Sequence, residues 1–451
     1  MQKTSLSFHQ KKIGIWGFGT VGKSALIYFS GLNISCTVLD KRALTEEEHG
    51  LLQKHHATYL SEQDIENFFS ITDIIFASPG IDINPFKHRS HFICELDLFT
   101  TAWHKPLIAV TGTIGKTSTT TLLANILQKQ MHIAVGGNIG TPMLQFLEKQ
   151  ASYDYALLEL SSWQLEHAQQ LKPDIAVWTN FYPNHLDRHH TTEAYFHAKL
   201  PILRDQTASQ IAVLPLSLRS QITPFNRSSQ KIWFTDTTLT SHQEFEANES
   251  ILYIENDLVM IKNNHTKRAL IEINMLPNFT YLQNMLSTIA VLYTLNLPVE
   301  LLMQSNLSIE HRLEKISACS DIIFYNDSKA TVPDATLAAL TQFKYRQVTL
   351  LLGGLSKGVD RSYLIQSLPP QVKRVICFGK EAEQLQTFCA LQKIEGYAFA
   401  SLEPAVACAI EHAKPEEIIL LSPAGSSYDL YADYTERGRH FKKLVADYIK
   451  D

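Results

Sequence analysis

The stretch that decides the fold of the central domain runs Leu107-Ile108-Ala109-Val110-Thr111-Gly112-Thr113-Ile114-Gly115-Lys116-Thr117-Ser118. Its apolar first half predicts a buried strand, and residues 117–127 have the spacing of a helix. Between the two, Gly112 and Gly115 allow the backbone to curl so that successive N–H groups point at phosphate oxygens. Lys116 adds a positive charge for the outer phosphates, and the Thr117 hydroxyl is suited to Mg²⁺. A chance Gly-Lys-Thr turn would not require the flanking strand and helix, so we interpret the stretch as a nucleoside triphosphate site.

Length and composition indicate an ordinary globular protein. With 451 residues, of which 45% are hydrophobic and 19% charged, the chain is long enough for about three domains. The net charge of −5 argues against a general nucleic-acid binder, because no excess of cations can displace counterions. No apolar run approaches the ~18 residues that a membrane-spanning helix needs, and neither a secretory signal nor a CxxC pair occurs. We therefore expect a cytoplasmic protein with reduced cysteines that has no nucleic-acid partner and no membrane insertion.

A first α/β domain is predicted to end near residue 103. A GxGxxG turn joins its first strand and helix, and the glycines of this turn are Gly17, Gly19 and Gly22. A second strand ends at Asp40, about 20 residues later, where a dinucleotide-binding domain places a ribose contact. From the residues, two interpretations stay open: a dinucleotide site, or a turn that packs tightly and binds nothing. A third strand, 73–77, leads into Ser78-Pro79-Gly80-Ile81 at the same edge of the sheet.

Polar residues follow the strands of the central domain. Asn138 lies in a glycine-rich loop, and Glu159 ends an apolar strand, where an unpaired carboxylate is costly to bury unless it binds metal. In phosphate-loop proteins this position holds Mg²⁺ or its water. His185 follows the next strand as a candidate ligand. Lys199, at a helix start, is by itself typical of a surface charge.

A third domain is predicted from about residue 309. Its strands alternate with helices, which predicts a parallel sheet whose ligands lie beyond the carboxyl ends of the strands. Polar loops follow three of these strands, at Asn326–Thr331, at Gly353–Gly358 and around Ser427. Because similar loops end strands in all three domains, we expect a site between domains. The predicted domains are 1–103, 104–308 and 309–451.

These motifs resemble, in their order, those of the Mur ligases over nearly the whole chain. The matching pieces are Ser78–Ile81, the phosphate loop, Gly137–Gly140, Glu159–Glu166, His185–Arg188, Ala198-Lys199, His311–Glu314, Asn326–Thr331 and Leu421–Ala424. The Asn326–Thr331 loop is similar to that of the branch that adds D-glutamate. The resemblance implies a Rossmann-like N-terminal domain, a P-loop ATPase-like central domain and a Rossmann-like C-terminal domain.

The resemblance also implies an ATP-dependent amide-bond ligase of peptidoglycan precursor synthesis, on which cell-wall biogenesis, cell shape and cell division depend. The enzyme would add D-glutamate to UDP-N-acetylmuramoyl-L-alanine through an acyl phosphate, with release of ADP and phosphate. Phosphorylation is needed because a carboxylate is a poor electrophile, and positioning and charge neutralisation supply most of such catalysis. Mg²⁺ at two sites and a carbamylated Lys199 are implied, together with small-molecule partners and a monomeric state.

Residue roles follow from the resemblance, position by position. The implied catalytic residues are Lys116, His185 and Lys199. The implied ATP-binding residues are Gly112, Thr113, Gly115, Lys116, Thr117, Ser118, Asn284, Arg312 and Asp327. The implied metal ligands are Thr117, Asn138, Glu159, His185 and Lys199. The implied UDP-sugar-binding residues are Gly17, Gly19, Thr20, Asp40, Lys41, Arg42, Gly80, Asn138, Ser162 and Gln164. The implied amino-acid-binding residues are Lys329, Thr331, Lys357, Ser427 and Tyr428.

The chain departs from the family pattern in two places that bear on these roles. Between Leu276 and Asn284, only these two end residues match the family motif. Thr280-Tyr281 replaces its His-Asn pair, which in the family lies near adenine together with the final Asn. The loop that begins at Gly353 lacks the usual Asp after its glycines.

Three other functions remain open from the residues. The first is a ligase of the same superfamily that uses another amino acid or folate. The second is an oxidoreductase with its cofactor on the GxGxxG turn, which leaves the phosphate loop and Glu159 unexplained. The third is a phosphate-loop module acting on nucleic acid, which the net charge disfavours.

Overall fold

A computed structural model describes residues 8, 10–226, 228–239, 245–277, 281–304, 310–319, 322–343 and 345–450. The chain divides into two compact units. The first unit comprises 1–181, 196–275 and 286–305, and the second comprises 182–195, 276–285 and 306–451. Among the described residues, no helix is both long enough and apolar enough to span a membrane.

Strands and helices alternate along much of the chain. The strands are β1 (Ile13–Trp16), β2 (Cys36–Asp40), β3 (Thr58–Ser61), β4 (Ile74–Ala77), β5 (His91–Ile93), β6 (Leu107–Thr111), β7 (Ile133–Gly137), β8 (Tyr155–Glu159), β9 (Ile175–Trp178), β10 (Ile211–Pro215), β11 (Gln230–Phe234), β12 (Glu249–Glu255), β13 (Leu258–Lys262), β14 (Lys267–Glu272), β15 (Glu314–Cys319), β16 (Ile322–Asn326), β17 (Val348–Gly353), β18 (Val372–Phe378), β19 (Glu395–Phe399) and β20 (Ile418–Leu421). The α-helices are α1 (Thr20–Gly31), α2 (Glu46–Lys54), α3 (Ile65–Ile71), α4 (Glu95–Ala102), α5 (Lys116–Leu127), α6 (Ser162–Leu165), α7 (Leu186–His189), α8 (Thr192–Lys199), α9 (Pro201–Arg204), α10 (Arg219–Ile222), α11 (Leu282–Thr294), α12 (Pro333–Leu340), α13 (Ser362–Gln366), α14 (Ala382–Leu391), α15 (Leu402–Glu411) and α16 (Tyr434–Lys450). Short 3₁₀ helices lie at Glu62–Asp64, Asn84–Phe86, Met143–Ser152, Leu216–Leu218, Ile273–Met275, Val299–Gln304 and Thr341–Phe343.

The first sheet, in the first unit, is fully parallel with the strand order β3-β2-β1-β4-β5. All four residues of β1 are buried, as expected for the central strand of a sheet covered on both faces. The GxGxxG turn follows this strand, and a Cβ on Gly22 would lie 2.0 Å from the Gly17 carbonyl oxygen. Only glycine therefore allows α1 to approach the end of β1 so closely.

The second sheet, also in the first unit, has the order β14-β13-β12-β11-β10-β9-β6-β8-β7 within the described residues. The strand before the phosphate loop, β6, pairs in parallel with β8 and β9, so that Val110 lies opposite Glu159 and Thr111 opposite Trp178. This register brings the ends of three strands to one edge, where the loop begins. Strands β10 to β14 form the other side of the sheet, and β13 pairs antiparallel with both β12 and β14.

The third sheet, in the second unit, has the order β15-β16-β20-β17-β18-β19, and all its pairs are parallel except β15 with β16. Strands β16, β20 and β17 are therefore neighbours. The predicted alternation of strands and helices is confirmed in this sheet. The antiparallel edge strand β15 and the short strand β19 were not predicted, because each carries too short an apolar pattern to stand out.

The predicted domain boundaries stay predictions. The boundary at 103/104 lies between α4 and β6, inside the first compact unit. The boundary at 308/309 lies outside the described residues. Segments 182–195 and 276–285 belong by compactness to the unit of the third sheet.

A buried carboxyl group lies where the first and second sheets meet in the first unit. Glu95, at the start of α4, is only 2% exposed. Its Oε1 accepts a hydrogen bond of 3.4 Å from the Leu144 N–H, whereas Oε2 has no partner among the described residues. Burial raises the pKa of Glu95 from 4.5 to about 7.

We predict that Glu95→Gln stabilises the protein in a pH-dependent way. An acid whose folded pKa lies above its unfolded pKa is penalised as pH rises, so the penalty is absent below about pH 4.5 and complete above about pH 7. The shift corresponds to about 3 kcal/mol at pH 8. Thermal unfolding at pH 5 and pH 8 should show a larger gain in Tm at pH 8. The exposed Glu148→Gln is the matched control. Equal gains at both pH values would contradict the assignment.

Candidate nucleotide and substrate site

The phosphate loop has a backbone that only glycine can adopt at two positions. Gly112 has φ +147°, and a Cβ there would lie 2.0 Å from the Thr179 hydroxyl oxygen. Gly115 has φ +80° and directly precedes α5. Both are conformations that L side chains rarely adopt. These two conformations lead the chain from the end of β6 into the first turn of α5, and a helix N-terminus favours an anion.

Asn180, which the sequence analysis did not single out, holds this loop in place through hydrogen bonds. Its Oδ1 accepts from the Ile114 N–H at 3.0 Å, and its Nδ2 donates to the Ile114 carbonyl at 3.0 Å. Its own carbonyl accepts from the Thr113 N–H at 3.1 Å. The only sequence signal was its place just after a strand, because the partners lie more than 60 residues away.

Lys116 is folded back over the loop. Its Nζ donates to the carbonyl oxygens of Gly112 at 2.9 Å and Thr113 at 3.0 Å. Thr117 and Ser118, in the first turn of α5, are half-buried. The residues predicted to bind ATP phosphates thus lie together at one helix start.

Lys199 is the second lysine at this loop. It is 1% exposed, and its Nζ donates to the Gly112 carbonyl at 3.1 Å and to the Thr111 hydroxyl at 3.4 Å. Burial lowers its pKa well below the ordinary value, and the Lys116 charge adds to the effect while Glu159 opposes it. The interpretation as a surface charge, which spacing alone favours, is therefore wrong.

Glu159 is fully buried at the end of β8. Its Oε1 accepts from Asn138 Nδ2 at 2.9 Å, while Oε2 has no partner among the described residues. The Asn138 N–H donates to the Glu159 carbonyl at 2.7 Å, which fixes the two residues together. A buried carboxylate oxygen without a donor fits the oxygen ligand set of Mg²⁺.

At the first sheet, Asp40 ties the GxGxxG turn to the end of β2. Its Oδ2 accepts from the Phe18 N–H at 2.6 Å, and its Oδ1 accepts from the Arg42 N–H at 3.0 Å. The Arg42 guanidinium makes two 2.7 Å bonds to Glu48 and holds the pKa of that carboxyl well below its usual range. The other residues predicted here for the UDP-sugar, Gly19, Thr20, Lys41 and Gly80, are exposed at the same sheet edge, and Gly17 is buried.

A cavity of about 590 Å³ continues from this edge within the first unit. It is lined by the segment after β4, by β5 and the start of α4, and by α6. Gln164 lines it, and its Oε1 accepts from the Ser161 N–H at 3.0 Å in the capping box of α6. Ser162, in the first turn of that helix, is buried.

The nucleotide residues predicted in the second unit surround a buried carboxyl. Asp327 accepts from the Leu313 N–H at 3.2 Å and from the Ser422 hydroxyl at 2.9 Å. Burial raises its pKa to about 6, and the charge of Arg312 opposes the shift. Arg312 has two buried nitrogens, Nε and Nη1, with no hydrogen-bond partner among the described residues. Such a guanidinium is suited to an anionic ligand.

Before α11, where the chain departs from the family pattern, the structure places Tyr281 in a buried position. The buried Tyr281 donates its hydroxyl to the Ala335 carbonyl at 2.9 Å, and its carbonyl accepts from the Asn284 N–H at 3.1 Å. Thr280 lies outside the described residues. His185 also belongs to the second unit and has a left-handed backbone with φ +54°.

The residues predicted to bind the amino acid share one edge of the third sheet, since they follow the neighbouring strands β16, β17 and β20. The Lys329 ammonium lies 5.2 Å from the centre of the Tyr434 ring, and Thr331 is half-buried. Lys357 has a left-handed backbone with φ +54°. Ser427 is buried, whereas Tyr428 is 69% exposed.

Comparison with known proteins agrees with this architecture. Residues 110–292 match the Mur ligase middle domain, and residues 311–425 match the Mur ligase, glutamate ligase domain. The chain is 31% identical to the UDP-N-acetylmuramoylalanine–D-glutamate ligase of Natranaerobius thermophilus, over 96% of this chain and 97% of the relative. It is also 31% identical to the enzyme of that name from Listeria monocytogenes serotype 4b, over 98% of each chain.

Solved structures share the fold. MurF from Acinetobacter baumannii covers 92% of this chain and 91% of its own, with a TM-score of 0.59 and 17% identity. The MurF ligase of Thermotoga maritima in complex with ADP covers 92% of this chain and 96% of its own, with a TM-score of 0.55 and 16% identity. The full-length relatives and the two matched domains establish that this chain belongs to the Mur ligase family.

Proposed function

We propose that the protein is an ATP-dependent ligase that joins D-glutamate to UDP-N-acetylmuramoyl-L-alanine in peptidoglycan precursor synthesis. The proposed type of reaction is supported by two lysines at the phosphate loop. Lys116 and Lys199 both donate hydrogen bonds to the Gly112 carbonyl. The observation that supports the substrates is the full-length similarity to proteins named D-glutamate ligases.

The proposed chemistry has two steps. The substrate carboxylate attacks the γ-phosphorus of ATP, which forms an acyl phosphate and releases ADP. The amine of D-glutamate then attacks the acyl carbon, and phosphate leaves as the amide bond forms. Lys116 and the N–H groups of the loop would neutralise charge on the transferred phosphoryl group, and this positioning is the main contribution of a protein to such reactions.

The ATP phosphates would bind Gly112, Thr113, Gly115, Lys116, Thr117 and Ser118. Mg²⁺ would neutralise phosphate charge, with the Thr117 hydroxyl and the orphan Oε2 of Glu159 as its ligands. A second Mg²⁺ would use Asn138 and the modified Lys199, and His185 stays a predicted ligand. Arg312, Asp327 and Asn284 are the proposed nucleotide residues of the second unit.

Carbamylation of Lys199 is part of the proposal. The ammonium first loses one proton. The neutral amine then attacks CO₂, a C–N bond forms, and a second proton is released to solvent, so that a cation becomes an anion. The reaction needs an unprotonated amine, and the burial of Lys199 together with the nearby Lys116 charge favours that form. The anionic carbamate would remove the repulsion between the two lysines.

The UDP-sugar would bind at the edge of the first sheet, along Gly17, Gly19, Thr20, Asp40, Lys41, Arg42 and Gly80, and continue toward Ser162 and Gln164. The cavity beside α6 supports this assignment, because it extends the same edge. The acceptor would bind Lys329, Thr331, Lys357, Ser427 and Tyr428. Two lysines and three hydroxyls suit a dianionic amino acid better than a neutral one. A monomeric state and a cytoplasmic location complete the proposal.

Lys116→Ala should reduce kcat by ~10²-fold or more, because the developing phosphoryl charge loses its point cation. Phosphate release from ATP in the presence of the UDP-sugar and D-glutamate measures the loss. Tm should stay unchanged, and the exposed Lys172→Ala serves as the matched control. Normal turnover in Lys116→Ala would remove the phosphate-loop assignment.

Lys199 should carry a carbamate in the active enzyme. ¹³C NMR of protein equilibrated with ¹³C-bicarbonate should show one carbamate signal that is absent in Lys199→Ala and present in Lys172→Ala. The Lys199→Ala variant should lose kcat far more than it loses ATP affinity. An active, metal-loaded wild type without the signal would refute the modification.

The acceptor assignment is tested by a panel of amino acids with ATP and the UDP-sugar. We expect kcat/KM for D-glutamate to exceed that for alanine and a diamino acid by ~10²-fold or more, because these acceptors bring less negative charge to the site lysines. The expected preference over L-glutamate rests on the similarity to proteins named D-glutamate ligases. Preference for any other member of the panel, or for a folate acceptor, would show that the assigned substrate is wrong.

A further inference from the structure

The loop that carries Lys357 is held in a constrained backbone. It follows β17, and left-handed positions occur at Gly354 (φ +71°), Lys357 (φ +54°) and Gly358 (φ +78°). A lysine in this region costs conformational energy, of order 1 kcal/mol, that its surroundings must offset. The direction of the Lys357 side chain therefore depends on whatever fixes the loop.

One buried arginine fixes the first part of the loop. Arg361 is 3% exposed, and its Nη1 donates to the Gly353 carbonyl at 3.0 Å. Its Nη2 donates to the Gly354 carbonyl at 3.0 Å and to Glu381 Oε2 at 2.6 Å. The planar guanidinium can hold all three acceptors at once, which a lysine ammonium cannot do with the same geometry.

Glu381 fixes the residue beside Lys357. Its Oε1 accepts from the Ser356 N–H at 3.0 Å and from the Ser356 hydroxyl at 3.3 Å. The pair of Arg361 and Glu381 thus holds the loop both at its start and directly before Lys357. Lys357 itself is half-buried.

Hydrogen bonds also connect the Lys357 loop to the other two loops at this edge of the third sheet. Leu355 and Ser426 exchange two backbone hydrogen bonds, of 2.8 and 2.9 Å, directly before Ser427. A second buried arginine, Arg437, donates to the Gly425 carbonyl at 3.1 Å and to the Ser328 carbonyl at 2.7 Å. Ser328 directly precedes Lys329. All three loops that carry proposed acceptor residues are therefore linked through backbone pairing and charged, buried groups.

We propose that Arg361 and Glu381 are a positioning pair for the acceptor amino acid, which hold the Lys357 loop so that its ammonium meets a carboxylate of the dianionic acceptor. This inference rests on the proposed function. Removal of the Glu381 charge leaves the buried Arg361 uncompensated, and removal of Arg361 takes the donor from Glu381 and from two loop carbonyls. Either change releases the loop. The loss then falls on acceptor binding, because the hydrogen bonds of the pair fix the loop that carries an acceptor residue.

A purely structural role is the competing explanation, and a second ion pair of the same sheet serves as the control. Arg374 pairs with Glu395 at 3.0 Å between β18 and β19, and both side chains are more exposed than those of Arg361 and Glu381. It also donates to the Thr349 hydroxyl and the His412 carbonyl. This pair lies in the same sheet, but in the described part of the chain its hydrogen bonds reach none of the three loops that carry acceptor residues.

The experiment measures kcat and the KM values for D-glutamate, ATP and the UDP-sugar in Arg361→Gln, Arg361→Lys, Glu381→Gln and Arg374→Gln. In Arg361→Gln we expect KM for D-glutamate to rise ~10-fold or more, and this rise corresponds to ~1.4 kcal/mol at the acceptor site. The KM values for ATP and for the UDP-sugar should stay within about twofold of the wild-type values. Arg361→Lys should recover part of the loss, and Glu381→Gln should show the same selective rise. Arg374→Gln should leave all three KM values unchanged.

Several outcomes would overturn the inference. These are an equal change in all three KM values, no change in Arg361→Gln, or the same change in Arg374→Gln. If Arg361→Gln fails to fold, Glu381→Gln decides, since its charge is removed while its shape is kept. Failure of the proposed function is a separate result, because the wild type would then prefer another acceptor, and the KM for that acceptor becomes the readout for the pair.

Discussion

The carbonyl oxygen of Gly112 is the point on which the phosphate loop depends. It accepts hydrogen bonds from both Lys116 and Lys199, and the glycine has no space for a side chain because Thr179 lies against it. Burial, together with the repulsion between two ammonium groups that share one acceptor, biases Lys199 toward its neutral form. A single backbone conformation thereby determines both the shape of the loop and the position of its carbonyl acceptor for the two lysines.

Two other residues with proposed roles have buried polar atoms without hydrogen-bond partners in the described part of the chain. Oε2 of Glu159 and two nitrogens of Arg312 are buried without hydrogen-bond partners among the described residues. Leaving buried charges unsatisfied costs free energy that a stable fold does not otherwise retain. In the first unit the group is a carboxylate suited to a cation, and in the second unit it is a guanidinium suited to an anion. The proposed metal and nucleotide roles of these residues rest on such atoms and not on sheet topology alone.

Other buried cations of the second unit do have hydrogen-bond partners. Two buried arginines, one on α16 and one at the end of the loop after β17, donate to carbonyl oxygens of the loops at the edge of the third sheet. Charged hydrogen bonds to carbonyl oxygens are directional, so they fix loops more sharply than apolar packing does. In the proposed acceptor site, selectivity would come from loop placement as much as from the contacting side chains.

The sequence by itself determined the features that depend on local order along the chain. These are the phosphate loop with its flanking strand and helix, the glycine turn after β1, and the polar loops after parallel strands, since glycine freedom, apolar spacing and capping act within a few residues. Only the tertiary structure decided the features that depend on contacts between residues far apart in the sequence. Lys199 has the spacing of a surface residue and is buried because the end of helix α8 packs against the end of β6. Asn180 and Arg361 give no clear sequence signal, because hydrogen bonds to a loop are specified by the folded geometry and not by spacing.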